Sequence, residues 1–388
     1  MPVRATKRGA ERTPLEQRDC DVLVCGASFA GLAVARELAG SGAKVLVLDR
    51  YELGERQTSA CAMPTGWVEA LDLGESSRQS FDKLVAHTPY RTSHWSLPWL
   101  YSTFDYRELC ALLWGQADPI DTELEIATVT GREGFTVHTD RGDLSAPLIV
   151  DALGWRRVLS NAEPIQPPNA TLSRGLEVHP AGVGEEMELW IDHRYIRSGY
   201  SWSFPAHDEL RVGVGSFWPA HHVKEPTVRL ARDLGLPADG YQGNWIPHKL
   251  RAAVEDEVFF AGDSAGHCLP LTAEGIRTAL YFGLACGREL RSVLDGRAMR
   301  AQALAHYGAF SSGHGRKYDS LFKLQCAIGR MTPSRAVTAL ALAFESRRFS
   351  HWAFEHYLAI APPTFVGERP PTLGRTTPAR RAAVAVTS

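Results

Sequence analysis

A glycine-rich turn and an acidic residue lie near the start of the chain, at a spacing that can support ligand binding. The turn, Cys25-Gly26-Ala27-Ser28-Phe29-Ala30-Gly31, follows an apolar run and opens a helix-like stretch at 32–39. N–H groups at the start of a helix can hold a pyrophosphate, and Gly26 and Gly31 permit the tight turn and close packing. Asp49 ends the next apolar run, where a carboxylate can accept hydrogen bonds from an adenosine ribose. These residues predict a dinucleotide site, although Ser28 stands where the middle glycine usually lies.

Two further apolar runs end in an aspartate. The run 258–261 leads into Gly262 and Asp263, and a second helix is predicted to start at Gly275-Ile276. N–H groups at a helix start stabilise negative charge on a neighbouring ligand. The run 148–150 leads into Asp151-Ala152-Leu153-Gly154, which has the same apolar-strand-to-aspartate form.

In type and order the three motifs resemble those of the FAD-dependent family that includes para-hydroxybenzoate hydroxylase-like monooxygenases and geranylgeranyl reductases. The resemblance implies FAD as the cofactor and a helix start that faces the flavin pyrimidine edge. The cofactor-binding residues that it implies are Gly26, Ser28, Phe29, Ala30, Gly31, Asp49, Arg50, Cys61, Arg107, Asp151, Gly262, Asp263, Gly275 and Ile276.

An aromatic segment indicates which enzymes of that family the chain resembles most. Tyr200-Ser201-Trp202-Ser203-Phe204-Pro205, followed by Val212-Gly213-Val214-Gly215, is similar to a signature of geranylgeranyl reductases. Halogenases carry a related segment that starts with Trp and has Ile before the proline. The resemblance implies that Tyr200, Trp202 and Phe204 contact substrate. Simple packing of one sheet face is the alternative.

Three side chains are candidates for catalysis. Cys61 lies in a loop where geranylgeranyl reductases often have a cysteine, although alanines replace the usual flanking glycines here. It could form a redox pair with Cys268, or both thiols could be core residues. His267 and Glu274 are candidate proton donors because both lie in flavin motifs, and burial of Glu274 would raise its pKa. A carboxylate near a helix start is also ordinary dipole complementation.

The composition of the chain indicates which kinds of partner the protein can bind. The 388 residues carry a net charge of −2 and show no basic stripe, which argues against nucleic acid. No apolar run is long enough to cross a bilayer, so we expect at most transient membrane contact. Seven cysteines without a C-x-x-C pair predict reduced thiols in the cytoplasm and no metal site.

The order of the motifs predicts an α/β fold with discontinuous domains. We expect a Rossmann-type FAD-binding domain, an inserted antiparallel-sheet substrate domain and a C-terminal helical region. The predicted strands of the substrate domain lie at 175–179, 187–191, 200–204 and 210–214. The predicted boundaries are 1–18 for a disordered tail, 19–60, 101–158 and 251–300 for the FAD domain, 61–100 and 159–250 for the substrate domain, 301–362 for the helices and 363–388 for a flexible tail.

The resemblance implies an oxidoreductase that reduces carbon–carbon double bonds of an isoprenoid or similar apolar small molecule by hydride transfer from reduced flavin. No second G-x-G-x-x-G follows a strand. Electrons would therefore come from transiently bound NAD(P)H or from a partner such as reduced ferredoxin. A flavin monooxygenase or halogenase, and a lycopene-cyclase-like enzyme without net redox change, stay open as alternatives.

Overall fold

The computed structural model describes residues 12–15, 18–57, 59–162, 165–331 and 335–367. Their strands are β1 Val22–Cys25, β2 Val45–Asp49, β3 Ala62–Pro64, β4 Ser77–His87, β5 Thr92–Phe104, β6 Thr122–Ile126, β7 Val129–Glu133, β8 Thr136–Thr139, β9 Gly142–Ser145, β10 Leu148–Asp151, β11 Leu172–Val178, β12 Met187–Trp190, β13 Gly199–Ala206, β14 Glu209–Ser216, β15 Gln242–Pro247, β16 Val254–Glu255 and β17 Val258–Phe260. Their α-helices are α1 Phe29–Leu38, α2 Thr65–Ala70, α3 Tyr106–Trp114, α4 Lys224–Asp233, α5 Ile276–Leu294, α6 Arg300–Ser312, α7 Gly315–Arg330, α8 Arg335–Ala343 and α9 Arg347–Leu358.

The first sheet has six strands in the order β16-β17-β10-β1-β2-β6. All of its pairings are parallel except the one between β16 and β17. The residues of β1 and β10 are all buried, as expected for parallel strands that are covered on both faces. Because the carboxyl ends of parallel strands meet at one edge, the ends of β1, β2, β10 and β17 bring the three sequence motifs together.

The second sheet has eight strands in the order β15-β11-β14-β13-β12-β4-β5-β3. Its pairings are antiparallel except the one between β12 and β4. Side chains alternate between the two faces. On one face Val178, Val212 and Val214 form a core with Val223 and Leu230 at helix α4. The opposite face carries the aromatic residues of β13 and is the face relevant to the site.

A third, smaller sheet of β7, β8 and β9 lies in the chain between β6 and β10 of the first sheet. The C-terminal helices pack on strand β5, where the Trp95 indole donates to the Ala341 carbonyl at 2.9 Å. The Trp67 indole of α2 donates to the Ala361 carbonyl at 3.0 Å. The predicted α/β class, with an antiparallel second layer and a C-terminal helical region, is confirmed.

Both predicted tails contain packed residues where the structure describes them, and the tails stay a prediction. Leu15 is buried and its N–H donates to the Arg141 carbonyl at 2.8 Å, because an apolar side chain and a satisfied backbone favour packing over disorder. Pro363–Phe365 form a 3-10 turn and Val366 is buried. Residues 1–11, 16–17 and 368–388 lie outside the described residues. The domain boundaries stay a prediction, and strand β5 runs past residue 100.

Candidate functional site

The turn between β1 and α1 forms a backbone cradle. Gly26 has φ +113°, and a Cβ there would lie 2.2 Å from the Ala152 oxygen. A Cβ on Gly31 would lie 1.8 Å from the Gly26 oxygen. The Ser28 hydroxyl is 3.1 Å from the Tyr106 hydroxyl and does not cap the helix, whose first turn has no acidic residue. The first N–H groups of α1 are therefore available to an anion.

Asp49 fixes the cradle from the end of β2. Its Oδ2 accepts the Ala27 N–H at 2.8 Å and its Oδ1 accepts the Tyr51 N–H at 3.0 Å. Burial raises the pKa of Asp49, and the backbone hydrogen bonds oppose that shift. A carboxylate oxygen can accept two hydrogen bonds, so each still has capacity for a ribose hydroxyl.

Two arginines lie at the rim of this region. Arg50 is exposed and its guanidinium lies 4.8 Å from the centre of the Tyr51 ring. Arg107, also exposed, lies in the first turn of α3 beside Gly54, where a Cβ would lie 2.6 Å from the Arg107 Cα. Phe29 contacts the Tyr106 ring with centroids 5.5 Å apart. The predicted roles of Phe29, Arg50 and Arg107 in binding the cofactor stay predictions.

The motif after β17 meets the start of α1. A Cβ on Gly262 would lie 3.0 Å from the Ala30 Cβ. Burial raises the pKa of Asp263 to about 6, and the charge of Arg251 opposes the shift. A Cβ on Gly275 would lie 3.7 Å from Asp263 Oδ1. Helix α5 starts at Ile276 without a side-chain cap. The structure thus brings the first and last motifs together around two helix starts.

Asp151 differs from the expectation of a cofactor contact because it is fully buried inside the domain. Its Oδ1 accepts the Leu153 N–H at 2.9 Å and the Ser264 hydroxyl at 2.6 Å. Its Oδ2 accepts the Leu159 N–H at 2.8 Å. Burial raises the pKa of Asp151, and these hydrogen bonds oppose that shift. Asp151 therefore links its own motif to the motif that contains Ser264, and both of its oxygens accept hydrogen bonds from the protein itself.

His267 is buried and both of its ring nitrogens have partners within the protein, while its role as a proton donor stays a prediction. Its Nδ1 accepts the Gly262 N–H at 3.1 Å and its Nε2 lies 3.0 Å from the Ser311 hydroxyl. The imidazole stacks on Phe282 with centroids 3.7 Å apart. Burial lowers the pKa of His267 well below its usual range, so the ring is neutral. It holds the turn that carries Asp263.

Glu274 also differs from the expectation of an isolated buried acid. Its two oxygens accept from Arg277 Nε at 2.7 Å and from Arg277 Nη2 at 2.8 Å, and Oε2 also accepts the Tyr357 hydroxyl. Arg277 is buried and Tyr357 is half-buried. A bidentate arginine and a tyrosine hydroxyl thus hold both carboxyl oxygens of Glu274. Its role as a proton donor stays a prediction.

Cys61 and Cys268 are both buried thiols and are not bonded to each other. Burial raises the pKa of each thiol well above the usual range. Cys61 lies near Arg211, whereas Cys268 lies 3.3 Å from where a Gly275 Cβ would stand. The proposed redox pair and the role of Cys61 at the flavin stay predictions.

Backbone strain marks the loops on either side of this region. Cys61 has φ 49°, Leu271 has φ 71° and Ala273 has φ 52°. Such angles cost free energy in residues other than glycine and persist where surrounding structure fixes them, often at functional sites.

The aromatic segment of β13 connects the second sheet to the last motif. The Tyr200 hydroxyl donates to the Thr272 carbonyl. The Trp202 indole lies across Gly213, where a Cβ would be 2.2 Å from its Cζ2. Phe204 packs on a small core of Ala62, Phe81 and Met187. All three aromatic rings are half-buried and follow one face of the strand.

Sequence reasoning missed several residues that support the site: Tyr106, Glu177, Arg211, Arg277 and Tyr357. Glu177 and His179 alternate along a predicted strand, which is a signal that both face one side. The contacts of Arg277 and Tyr357 join positions about 80 residues apart in the chain and leave no local pattern.

The residues present fit FAD. Because Gly26 and Gly31 carry no side chains, a pyrophosphate can approach the backbone of this turn and the N–H groups that start α1. A match to the family described as "FAD dependent oxidoreductase" covers residues 21–108, which contain this turn and Asp49. Together with the geometry, this match identifies the chain as an FAD-dependent oxidoreductase enzyme.

Curated relatives of this oxidoreductase are archaeal lipid reductases. Digeranylgeranylglycerophospholipid reductase 3 of Methanosphaera stadtmanae is 24% identical over 351 residues, covering 79% of this chain and 86% of the relative. The predicted resemblance to geranylgeranyl reductases is thereby confirmed.

Solved structures share its fold. A geranylgeranyl bacteriochlorophyll reductase-like protein of Thermoplasma acidophilum has TM-score 0.74 at 16% identity, covering 89% of this chain and 97% of that chain. The myxobacterial chondrochloren halogenase CndH has TM-score 0.64 at 14% identity, covering 89% and 92%. In the described part of the chain, no helix combines the length and apolar character that spanning a membrane requires.

Proposed function

We propose that this oxidoreductase reduces carbon–carbon double bonds of an isoprenoid or similar apolar substrate. The observation that carries the proposal is the contact between Tyr200 and the Thr272 carbonyl. It places the aromatic face of β13 beside the motif that starts α5. The names of the archaeal relatives, which are reductases of geranylgeranyl lipids, support this substrate class.

When bound, FAD in its reduced form supplies a hydride to the substrate. In the proposal Gly26, Gly31 and Asp49 hold the nucleotide half, and Asp263 and the start of α5 at Gly275-Ile276 lie at the flavin half. Helix-start N–H groups stabilise negative charge on a reduced ring. Arg277 fixes Glu274 and thereby the loop that precedes α5.

The aromatic residues of β13 orient the substrate and exclude water. An isolated alkene is a poor electrophile, so it must be aligned closely and kept from solvent. Tyr200, Trp202 and Phe204 supply a rigid apolar wall for this purpose. Phe204 continues into the core of Phe81 and Met187, which closes one end of that wall.

The electron donor and the location of the protein are part of the proposal. We propose that NAD(P)H docks transiently or that a reduced ferredoxin supplies electrons. All seven cysteines are unbonded thiols, which supports the predicted cytoplasmic location. Transient contact with a membrane surface is proposed for delivery of a lipid-like substrate.

An oxygen-activating function is the second candidate. The similarity of the fold to the halogenase CndH favours it. One fold can support both chemistries, so the products must separate them.

Product analysis tests the proposal. The FAD-loaded protein, chemically reduced without oxygen, is incubated with digeranylgeranyl glycerophospholipid and the lipid is measured by mass spectrometry. A mass increase of two hydrogens per reduced bond is expected. An unchanged lipid without oxygen, combined with oxygenated or halogenated product in air, would favour the second candidate.

A further inference from the structure

A buried carboxyl group lies on the aromatic face of the second sheet. Glu177 of β11 is 1% exposed. Its Oε1 lies 2.9 Å from His179 Nε2 and accepts from Gln242 Nε2 at 3.3 Å, and its Oε2 accepts the Trp202 indole N–H at 3.2 Å. Among the described residues, its ion-pair partner is His179 rather than a lysine or arginine.

A glycine brings Glu177 and Trp202 into contact. Strand β14 lies between β11 and β13, and its Gly213 is opposite both residues in register. A Cβ on Gly213 would lie 2.2 Å from Trp202 Cζ2 and 2.8 Å from the Glu177 Cβ. Without a side chain at this position, the indole of Trp202 crosses β14 and reaches the carboxyl group.

The same sheet face meets both strained loops of the site. Arg211, two residues from Gly213 on β14, donates to the Cys61 carbonyl at 3.0 Å. Tyr200, two residues from Trp202 on β13, donates to the Thr272 carbonyl. Because side chains alternate along a strand, Glu177 opposite Gly213 faces the same space between the two loops.

A path leads from Glu177 to solvent. The side chain of His179 is 15% exposed, while that of Glu177 is 2% exposed. His179 Nδ1 lies 3.7 Å from Glu209 Oε1, and Glu209 in turn accepts from Arg211 Nε at 2.9 Å. The charged and titratable groups facing Glu177 are thus His179, Glu209, Arg211 and the thiol of Cys61.

We propose that Glu177 and His179 form a proton relay into the site, which rests on the proposed function. In the reduction, one alkene carbon gains the hydride and the other gains a proton from the Glu177 carboxyl group. The imidazolium form of His179 then returns its Nε2 proton to Glu177 Oε1, and the neutral ring takes up a proton from solvent. Reduced cofactor is oxidised by two electrons and the alkene becomes the alkane, so atoms and electrons balance.

The physical basis is that Glu177 contacts His179, Gln242 and Trp202, whereas the Arg211 guanidinium donates to Glu209 and to the Ala60 and Cys61 carbonyls. Burying a carboxylate without a strong partner is costly. In the proposed relay the proton moves along the 2.9 Å contact between Glu177 Oε1 and His179 Nε2.

Glu177→Gln tests the relay, with Glu188→Gln as the matched control. Glu188 Oε1 also lies 2.9 Å from a histidine, His87 Nε2, in the same sheet, but its side chain is 30% exposed. The first readout is the rate at which the alkene reoxidises the anaerobically reduced protein at several pH values. The second is the carboxylic acid C=O stretch in the infrared difference spectrum between reduced and oxidised protein.

The relay predicts that Glu177→Gln lowers the reoxidation rate about 100-fold or more, changes its pH dependence and removes the carboxylic acid band. FAD content and the Glu188→Gln protein are expected to match wild type. A wild-type rate and an unchanged band in Glu177→Gln would overturn the relay. If no alkene reoxidises wild type, the proposed function fails, and the infrared band alone then decides whether Glu177 holds a proton.

Discussion

At the scale of single residues, burial decides which thiols can react. Six of the seven cysteines are buried, and Cys326 on α7 is half-buried. Burial raises the pKa of Cys61 and Cys268, and a thiol reacts through its thiolate. We expect iodoacetamide at pH 8 to modify Cys326 first in the native protein, while the others react only after unfolding. Peptide mass spectrometry measures this, and early labelling of Cys61 would contradict the buried position.

Backbone roles could be predicted from sequence more readily than side-chain roles. Gly26, Gly31 and Asp49 act through local geometry, which a strand, turn and helix pattern indicates. The place of His267 and Glu274 in a motif predicts proton donors. Their contacts to Ser311 and Tyr357 join positions distant in sequence and leave no local pattern, whereas the Glu274–Arg277 pair is three residues apart and is a local pattern.

At the scale of elements, close packing of α5 on α1 depends on small residues. A Cβ on Gly283 would lie 2.6 Å from the Ala30 oxygen and 2.9 Å from the Ala33 Cβ. Gly283→Ala is expected to lower the free energy of unfolding by about 1–3 kcal/mol and to weaken FAD binding, since α1 begins at the cradle. Urea denaturation and FAD titration measure both effects.

Gly315→Ala is the control for that substitution. Gly315 begins α7, and a Cβ there would meet nothing within 4 Å. This variant is expected to be neutral or more stable by up to about 1 kcal/mol. Equal stability of the two variants would contradict the tight α1–α5 contact.

A buried histidine connects β15 to α7 and gives a pH-dependent stability. His248 Nδ1 lies 2.6 Å from the Ser173 hydroxyl and accepts from Gln325 Nε2 at 3.2 Å, and Gln325 Oε1 accepts the Leu271 N–H at 2.7 Å. Burial lowers the pKa of His248 to about 4. Below about pH 6.5 the unfolded chain therefore binds a proton at His248 that the folded protein does not bind. The free energy of unfolding decreases as the pH falls from 6.5 towards 4.

We expect wild type to lose about 1.4 kcal/mol per pH unit in this window relative to His248→Asn, whose side chain does not titrate. Denaturation of both proteins at pH 6.5, 5.5 and 4.5 gives the difference, in which other titrating groups cancel. A difference independent of pH would mean that folding does not lower the pKa of His248.

At the scale of the whole molecule, the C-terminal helices close on the cofactor motif. Arg277 of α5 donates to the Leu358 and Ala361 carbonyls at 3.1 and 2.9 Å, and Tyr357 of α9 contacts both Glu274 and Thr272. The α/β class and the two kinds of sheet could be predicted from apolar periodicity. The packing of α9 on the loop that precedes α5 could not be predicted, because it depends on contacts between residues far apart in the chain.

Tyr357→Phe tests this long-range coupling. The substitution removes the hydroxyl that bonds Glu274 and Thr272 and keeps the ring over Arg277. We expect a several-fold faster loss of FAD, because the loop before α5 is less firmly held, with about 1 kcal/mol lower stability. Flavin fluorescence on dilution measures the release. Trp352→Phe, which changes an exposed ring of the same helix, is expected to retain FAD as wild type does.

The central claim is that the reduced protein transfers hydride to an alkene. The most direct measurement mixes the anaerobically reduced, FAD-loaded protein with a geranylgeranyl lipid and, separately, with oxygen, and follows flavin absorbance in a stopped-flow instrument. Rapid reoxidation by the alkene, yielding product heavier by two hydrogens per bond, is the predicted result. No response to the alkene, together with a flavin-peroxide spectrum in oxygen, would contradict the claim and favour a monooxygenase.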